Sequence, residues 1–190
     1  MTKTLITAAL LTASFGAAHA QSASYAIDPM HTFASFEIVH FGTSTIRGRF
    51  DKKEGSVTID RAAKTGKAEI TIDMASINTG VAPFDGHLKS ADLFDVAKFP
   101  TAKFVGDKFS FSGDKVTEVA GTLTLMGKTQ PVTLKATNFS CYVNPMLKRE
   151  VCGGDFETTL QRSAFGITYA LPMAAPDSVR MLVQVEAVKQ

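Results

Sequence analysis

The sequence predicts an all-β protein, a single eight-stranded antiparallel barrel with a short helical insertion near mid-chain. Three observations lead to this prediction. Apolar residues alternate through about eight segments, short turn sequences join most of these segments, and one internal stretch alone changes to a helical spacing. A barrel of about eight strands encloses an interior that side chains can fill or that can hold one small ligand.

The first 20 residues are predicted to be a cleavable signal peptide. Lys3 supplies the positive charge, the run from Leu5 to Phe15 is apolar but too short to span a bilayer, and Ala18-His19-Ala20 is a small-x-small cleavage site. The alternative, an uncleaved membrane anchor, requires about 20 apolar residues. The expected product is one domain, residues 21–190, located in the periplasm or secreted.

The composition of the mature chain argues against a nucleic-acid partner. The whole chain has 20 Lys and Arg and 18 Asp and Glu. Lys3 is removed with the signal peptide, so the mature net charge is 19 − 18 = +1. The chain has 14 Phe and no Trp, which favours an apolar interior over a sugar-stacking surface. No later segment has transmembrane length, so no stable membrane insertion is expected.

Cys141 and Cys152, the two cysteines of the chain, are predicted to form a disulfide bond. An exported protein meets an oxidising compartment, and the two residues flank a hairpin connection that contains Asn144-Pro145. Closing so small a loop would contribute roughly 3 kcal/mol. A redox-active pair is the weaker alternative because the CxxC spacing is missing, and metal binding by two isolated thiolates is weaker still.

The first long strand is expected to be buried in part on both of its faces. Alternation predicts one face formed by Ala34, Phe36, Ile38 and His40. It predicts a second face formed by Phe33, Ser35, Glu37, Val39 and Phe41. Because bulky apolar groups occur on both faces, something must cover part of the outer face, and the helical insertion is the candidate.

Two further strands are predicted to form an antiparallel hairpin, one with Val57 and Ile59 in register and one with Ala68, Ile70 and Ile72. Five more alternating segments follow the helical insertion. Their sequences are TAKFVGDKFSF, KVTEVAGTLTLMG, QPVTLKATNF, GDFETTLQR and SVRMLVQVEAV.

The helical insertion lies between Thr79 and Phe104. Asp85 is predicted to be the N-cap of a turn that carries His87 and Leu88, and Ser90 is predicted to cap a second turn. A short helical element in a sheet protein is expected to cover one open end of the barrel.

The candidate catalytic groups do not form a recognisable centre. His31, His40 and His87 belong to a turn, a strand and the insertion, without chelating spacing, so no metal site is predicted. Nucleophile-elbow and nucleotide-binding motifs are missing. Asp85 and His87 could form an acid–base pair, but no nucleophile is placed against them. The prediction is therefore no enzyme and no cofactor.

Arg162 is the sharpest functional candidate. It alternates with Phe156, Thr158 and Leu160, so it should face the interior if they do. A buried cation needs an acidic or anionic partner. An internal ion pair is the favoured explanation, and contact with a ligand is the other.

Several motifs, in this order along the chain, resemble the YceI-like family. They are Tyr25-x-Ile27-Asp28 with His31, the F-x-I-x-H of 36–40, Gly48-x-Phe50, Ser76-Ile77-x-Thr79-Gly80, the DGHLKS of 85–90, the GTLTLMG of 121–127, Pro131-Val132 and the RSAFGI of 162–167. The resemblance implies a lipocalin-like barrel with an apolar tunnel. It also implies a periplasmic or secreted binding protein for isoprenoid chains such as polyprenyl phosphates or quinones, or for other long-chain lipids.

One position departs from the family pattern. Phe84 precedes Asp85 where the family often has Arg, so a headgroup clamp that uses this Arg cannot be carried over. This departure favours a neutral ligand, such as a quinone or a fatty amide, over a pyrophosphate.

The predicted tunnel lining consists of inward-facing apolar residues and three polar contacts. The apolar set is Phe36, Ile38, Val57, Ile59, Ile70, Ile72, Phe104, Leu123, Leu125 and Leu134, and the polar set is His40, His87 and Arg162. A register error of one residue would exchange inner and outer faces. Two alternatives are kept: an exported enzyme acting on a lipid or quinone through Asp85, His87 and Arg162, and a ligand-free stress or interaction module. A homodimer is left open.

Overall fold

The computed structural model describes residues 22–190, and the predicted signal peptide lies outside them. One α-helix, α1 (Ala82–Lys89), interrupts a series of strands. The strands are β1 (Ala23–Ile27), β2 (Phe33–His40), β3 (Ser44–Phe50), β4 (Lys53–Asp60), β5 (Thr65–Asp73), β6 (Ile77–Asn78), β7 (Thr101–Ser112), β8 (Lys115–Leu125), β9 (Lys128–Val143), β10 (Glu150–Gln161) and β11 (Ser178–Lys189). Two 3₁₀ turns cover Met74–Ser76 and Arg162–Phe165.

The sheet closes into the predicted eight-stranded antiparallel barrel. The eleven strand segments within residues 22–190 make eight barrel strands because three of the barrel strands are interrupted. β1 and β2 are the two parts of the first, β3 and β4 of the second, and β5 and β6 of the third. β11 closes the barrel because it pairs with β10 on one side and with both β1 and β2 on the other. Strands that follow one another in the chain are neighbours in the sheet, so the barrel is of the up-and-down type, similar to the lipocalins.

The predicted early pairings agree with the structure. Val57 lies opposite Ala68 in the antiparallel β4–β5 pair. A turn follows Asp28, and the Asp28 carboxylate accepts hydrogen bonds from the Met30 backbone over 2.9 Å and contacts the His31 ring over 2.7 Å. This turn breaks the first barrel strand into β1 and β2.

The barrel interior is divided into two halves along its axis. One half is packed solid around a cluster of buried residues that includes Tyr25, Val116, Val119 and Phe156. The other half contains a second cluster, with Phe36, Phe50, Met74 and Leu88. β10 is 12 residues long, roughly 40 Å, and pairs with β11 from Val151 to Gln161, so it joins one end of the barrel to the other.

Helix α1 begins earlier than predicted. Its N-cap is Val81, whose side chain makes no capping hydrogen bond. Pro83 is the second residue of the helix, in the first turn, where proline is tolerated. The prediction that Asp85 is the N-cap is therefore wrong. Asp85 lies inside the first turn, and its Oδ1 accepts hydrogen bonds from the Thr79 backbone N–H over 2.8 Å and from the Thr79 hydroxyl over 2.6 Å.

Ser90 is the C-cap of α1, and the predicted turn does begin there because the Ser90 carbonyl accepts from the Leu93 N–H over 3.2 Å, but the Ser90 hydroxyl makes no capping hydrogen bond within the described residues. The Ser90 backbone N–H donates to the His87 carbonyl over 3.1 Å, and the residues that follow form turns without a helix. The insertion lies over one end of the barrel, as predicted, because Phe84, His87 and Leu88 face the interior there.

The helix does not cover the outer face of the first long strand. Phe33 is half-buried, with the Lys53 ammonium 4.0 Å and the Arg49 guanidinium 4.7 Å from its ring centre. Basic side chains of β3 and β4 therefore cover this outer phenylalanine, an arrangement that favours cation–π contacts.

The predicted disulfide is confirmed. Cys141 of β9 and Cys152 of β10 face each other in the ladder and are bonded, with 4.1 Å between their Cα atoms. Beside them, Glu150 accepts a hydrogen bond of 2.6 Å from the buried Tyr25 hydroxyl and pairs with Arg61 over 2.6 Å. The disulfide and these polar contacts connect β1, β9, β10 and the turn after β4 at the packed end of the barrel.

Candidate functional site

A cavity of about 230 Å³ occupies the half of the barrel beneath α1. Its wall is formed mainly by apolar side chains from most barrel strands, from α1 and from the segment between β10 and β11. Representative wall residues are Phe36, Ile46, Phe50, Ile72, Phe84, Leu88, Leu93, Phe94, Ala102, Leu125, Phe165, Ile167, Val179 and Met181. His40 and Tyr169 line the cavity and are also exposed, so the cavity reaches the surface beside them.

Few polar groups border the cavity. The His87 ring meets the edge of Tyr169 with 5.2 Å between ring centres, and His40 contacts the neighbouring Phe41 ring at 4.7 Å. Neither imidazole makes a side-chain hydrogen bond to any residue in 22–190. Both nitrogens of each ring are therefore free to bond a ligand or water.

Arg162 is buried at 7% exposure and borders the cavity from the β10 side. Its guanidinium donates to four backbone carbonyl oxygens, those of Tyr169 at 2.9 Å, Pro176 at 3.1 Å, Ala175 at 3.3 Å and Ile167 at 3.5 Å. All four belong to the segment between β10 and β11. Arg162 therefore holds this segment in a closed curve around its side chain.

The favoured prediction of an internal ion pair at Arg162 is wrong. Within residues 22–190, no carboxylate lies within 4.0 Å of its guanidinium. Asp177, the nearby acid, instead accepts hydrogen bonds from the Ser163 hydroxyl at 2.6 Å and the Ser163 backbone at 2.8 Å. Burial lowers the pKa of Arg162, and the charge of Asp177 opposes this effect only in part. The carbonyl dipoles of a tight loop replace the expected acid.

The local sequence explains how the loop closes on Arg162. Residues 162–165 form a 3₁₀ turn that ends at Gly166, whose φ of +89° lies in the left-handed region that glycine tolerates. The chain then reverses, and the carbonyls of residues 167–176 turn back toward the guanidinium. A cation at the start of such a turn therefore finds backbone acceptors without an acidic partner.

The structure brings many of the predicted site residues together. At the cavity are Phe36, Ile38, His40, Ile72, His87, Leu123, Leu125 and Arg162. Their contact with a ligand stays a prediction. The remaining apolar residues lie in or against the packed cluster instead, and they are Val57, Ile59, Ile70, Phe104 and Leu134. Alternation identified the inward face correctly, but it does not give height along the barrel axis.

Several cavity residues were not predicted. Phe50, Met74 and Val179 line the cavity on strand ends or turns, and Phe165, Ile167 and Tyr169 line it from the segment after Arg162. The apolar, uncharged composition of residues 163–176 was the cue that could have revealed this segment. Phe84, considered before only as a departure from a family pattern, is also part of the wall.

One group of potential metal ligands occurs within residues 22–190. It consists of Cys141, Glu150 and Cys152, whose ligand atoms lie within 4.8 Å of one another. Both sulfurs belong to the disulfide, so neither is a thiolate that could bind a metal ion. In this described part of the chain, no helix has the length and apolar character needed to cross a bilayer.

Solved structures with a similar fold include BcnA of Burkholderia cenocepacia and the YCEI protein of Campylobacter jejuni. BcnA superimposes with a TM-score of 0.70 at 25% identity, covering 84% of this chain and 98% of BcnA. The Campylobacter protein gives a TM-score of 0.68 at 26% identity, covering 80% of this chain and 90% of that chain. A polyisoprenoid binding domain from Saccharophagus degradans shares the fold, with a TM-score of 0.64 at 16% identity over 88% of this chain and 99% of that domain.

Sequence comparison gives full-length relatives. A UPF0312 protein of Pseudomonas putida strain W619 is 39% identical over 192 aligned residues, covering 99% of this chain and 98% of the relative. A UPF0312 protein of Pseudomonas aeruginosa strain PAO1 is 37% identical over 191 aligned residues, with the same coverage. The family model of the YceI-like domain matches residues 25–187, nearly the whole barrel, and the chain therefore belongs to the YceI-like family.

Proposed function

We propose that this protein binds and carries a long-chain isoprenoid or another amphiphilic lipid, with part of the apolar chain enclosed in the barrel cavity. The observation that carries the proposal is the cavity wall, which is apolar nearly throughout and, within residues 22–190, includes only four residues with polar side chains, His40, His87, Arg162 and Tyr169. The Saccharophagus degradans neighbour is named as a polyisoprenoid binding domain, which supports the ligand class. The proposed location is the periplasm, reached after removal of residues 1–20.

The cavity size limits how much of a ligand can be enclosed. At about 230 Å³, it lies below the roughly 300–1,000 Å³ of common small-molecule sites. A long chain would therefore enter with one section inside and the remainder at the mouth. Each enclosed CH₂ contributes roughly 0.8 kcal/mol, so about ten enclosed carbons would offset much of an association cost of about 4–15 kcal/mol.

The polar groups favour a neutral headgroup of the quinone type. Arg162 already donates to four carbonyls, and Phe84 supplies no charge. His40 and His87 border the cavity and have unoccupied ring nitrogens, which can hydrogen-bond a quinone carbonyl. A polyprenyl phosphate would bring a charged group to a site with no available guanidinium, and its desolvation would be uncompensated.

The same contacts argue against the enzyme alternative. Asp85 accepts two hydrogen bonds from Thr79, and the Arg162 guanidinium is occupied by backbone carbonyls. His87 meets an aromatic ring and no carboxylate within the described residues, so it lacks the group that would orient it as a general base. The cavity itself argues against a collapsed interaction module.

Native mass spectrometry of protein purified from its own host, followed by organic extraction, tests the proposal. We expect a stoichiometric adduct of prenyl-chain mass, released chemically unchanged. Ligand-free protein should bind ubiquinone in a titration. An empty protein that takes up neither quinones nor polyprenyl phosphates would overturn the proposal, and conversion of the bound lipid to a new product would establish the enzyme instead.

A matched pair of variants assigns the binding to the cavity. Val179→Phe introduces a ring into the cavity wall, and Val143→Phe makes the same change at a residue that is 69% exposed at the opposite end of the barrel. We expect Val179→Phe to weaken ubiquinone binding at least tenfold and Val143→Phe to leave it unchanged. Equal binding by both variants would place the ligand outside the cavity.

A further inference from the structure

Two uncharged segments border the cavity mouth. Residues 38–46 and 163–176 contain no Asp, Glu, Lys or Arg, although 20% of the whole chain is charged. The first segment joins β2 to β3, and the second joins β10 to β11. We call these two segments together the uncharged rim.

The two segments of the rim form one surface. The Phe41 backbone N–H donates to the Ala174 carbonyl over 2.8 Å and so joins them directly. Large apolar side chains project from both, with Phe41 63% exposed, Met173 81% exposed and Tyr169 47% exposed. Phe41 and Met173 do not line the cavity, so the interior does not explain their presence.

Such a surface requires a partner that is apolar and without charge. Exposed apolar patches that surround a cavity mark interaction or membrane-contact sites. Aromatic side chains that combine an apolar ring with a polar tip prefer the lipid–water interface, and Tyr169 is of this type. A partner recognised through charge would find no charged residue in the two segments themselves, although the Lys128 ammonium of β9 lies beside Gly166.

We propose that the uncharged rim docks on the surface of a lipid bilayer of neutral headgroups, with Phe41 and Met173 inserted among the headgroups and acyl chains. We choose a bilayer over a protein as the partner because of where the cavity opens. Because the cavity opens inside the rim, an apolar chain can pass between the bilayer and the barrel without crossing water. A protein partner would gain no comparable advantage from surrounding this opening.

The docking is peripheral. No strand or helix inserts, and the contact consists of two loops at one end of the barrel. Binding by two loops with a few apolar anchors is expected to be weak and reversible, as carriers that return to solution require. The inference concerns a surface, so it does not depend on the identity of the lipid in the cavity.

Flotation with phosphatidylcholine vesicles tests the proposal on the full mature chain. The rim variant Phe41→Ser with Met173→Ser is compared with a control variant, Val143→Ser with Met146→Ser. The control removes two equally prominent side chains, 69% and 89% exposed, from the opposite end of the barrel. All four side chains are exposed, so both variants should fold.

We expect the native protein and the control to float with the vesicles and the rim variant to lose at least roughly tenfold in partitioning. Raising salt from about 0.01 M to about 1 M should not weaken the binding, because no charge pair contributes. Val179→Phe should dock normally even if it takes up no ligand, which separates this inference from the proposed function.

Three results would overturn the proposal. The first is a native protein that does not float with neutral vesicles, and the second is an equal loss in the rim and control variants. The third is a monomer–dimer equilibrium in sedimentation that the rim variant abolishes while vesicle binding is not observed, since the rim would then be an interface between two copies of this chain.

Discussion

Arg162 Nη1 donates a hydrogen bond of 2.9 Å to the carbonyl oxygen of Tyr169, whose ring in turn meets His87 on α1. A buried guanidinium thus connects strand β10 to the rim loop, and the rim loop contacts the helix that covers the cavity. The Arg162 guanidinium lies beside an apolar cavity, but it donates its hydrogen bonds to the backbone of the loop that forms part of the cavity wall. The shape of the mouth therefore depends on one side chain.

Arg162→Lys should loosen the loop between β10 and β11. A lysine ammonium has three donors on a flexible stem and cannot reproduce the planar fork that reaches four carbonyls. Each carbonyl left buried without a partner costs about 1–3 kcal/mol, so we expect the free energy of unfolding to fall by about 2–4 kcal/mol. Hydrogen exchange followed by mass spectrometry should show faster exchange in residues 163–177.

The hairpin of β9 and β10 at the packed end serves as the internal control. Its backbone lies at the opposite end of the strands, so its exchange should be the same in Arg162→Lys and in the native protein. Unchanged exchange in residues 163–177 would show that the carbonyl contacts do not order the loop.

Asp85→Asn should loosen the contact between helix α1 and Thr79, which directly follows β6. The Asp85 carboxylate accepts two hydrogen bonds at Thr79, and an amide oxygen accepts them more weakly because it carries no charge. We expect a loss of about 1–2 kcal/mol in the free energy of unfolding and a faster rate of ligand entry and release. Stopped-flow ubiquinone binding measures these rates, and Asp92→Asn, on the exposed turn after the helix, is the control.

The sequence predicted the closed barrel, the disulfide and the inward face of most strands, because alternation and turn residues report local geometry. It did not predict which inward residues meet the cavity. Ile59 of β4 and Ile72 of β5 both face the barrel interior, yet one lies in the packed cluster and the other at the cavity. Their difference is one of height along the axis, which depends on strand register and on where α1 covers the barrel. The partner of Arg162 was missed because backbone acceptors of a folded loop leave no trace in side-chain chemistry.

This difference in height predicts different costs for the same substitution. Ile59→Ala removes a side chain from the packed cluster, where it is 5% exposed, and should cost about 2–5 kcal/mol of unfolding free energy. Ile72→Ala enlarges an existing cavity, so fewer packing contacts are lost and the cost should be about half as large. Urea denaturation measures both values.

Ligand binding should respond in the opposite order. Ile72→Ala changes the cavity wall and should alter ubiquinone affinity, whereas Ile59→Ala should leave the affinity of the folded protein unchanged. If the two substitutions cost the same stability and affect binding equally, the interior is one continuous tunnel and the two halves do not differ.

Glu150 should give the packed end a stability that is lost in acid. Burial by itself raises the pKa of Glu150, but the hydrogen bonds from Arg61 and Tyr25 outweigh this effect and hold the pKa below its usual 4.5. The folded protein then binds the proton less well than the unfolded chain, so the contribution of Glu150 to stability is present above pH 4.5 and is lost as the pH falls through the lowered pKa.

Glu150→Gln should be less stable than the native protein at about pH 7, by about 1–3 kcal/mol, because the charge-assisted bonds are weakened. In urea titrations from about pH 7 to about pH 3, the difference between the two proteins should shrink below 4.5. Glu118→Gln, at a side chain without a hydrogen bond or ion pair in residues 22–190, is the control for the loss of one carboxylate. A difference between Glu150→Gln and the native protein that stays constant with pH would contradict the assignment.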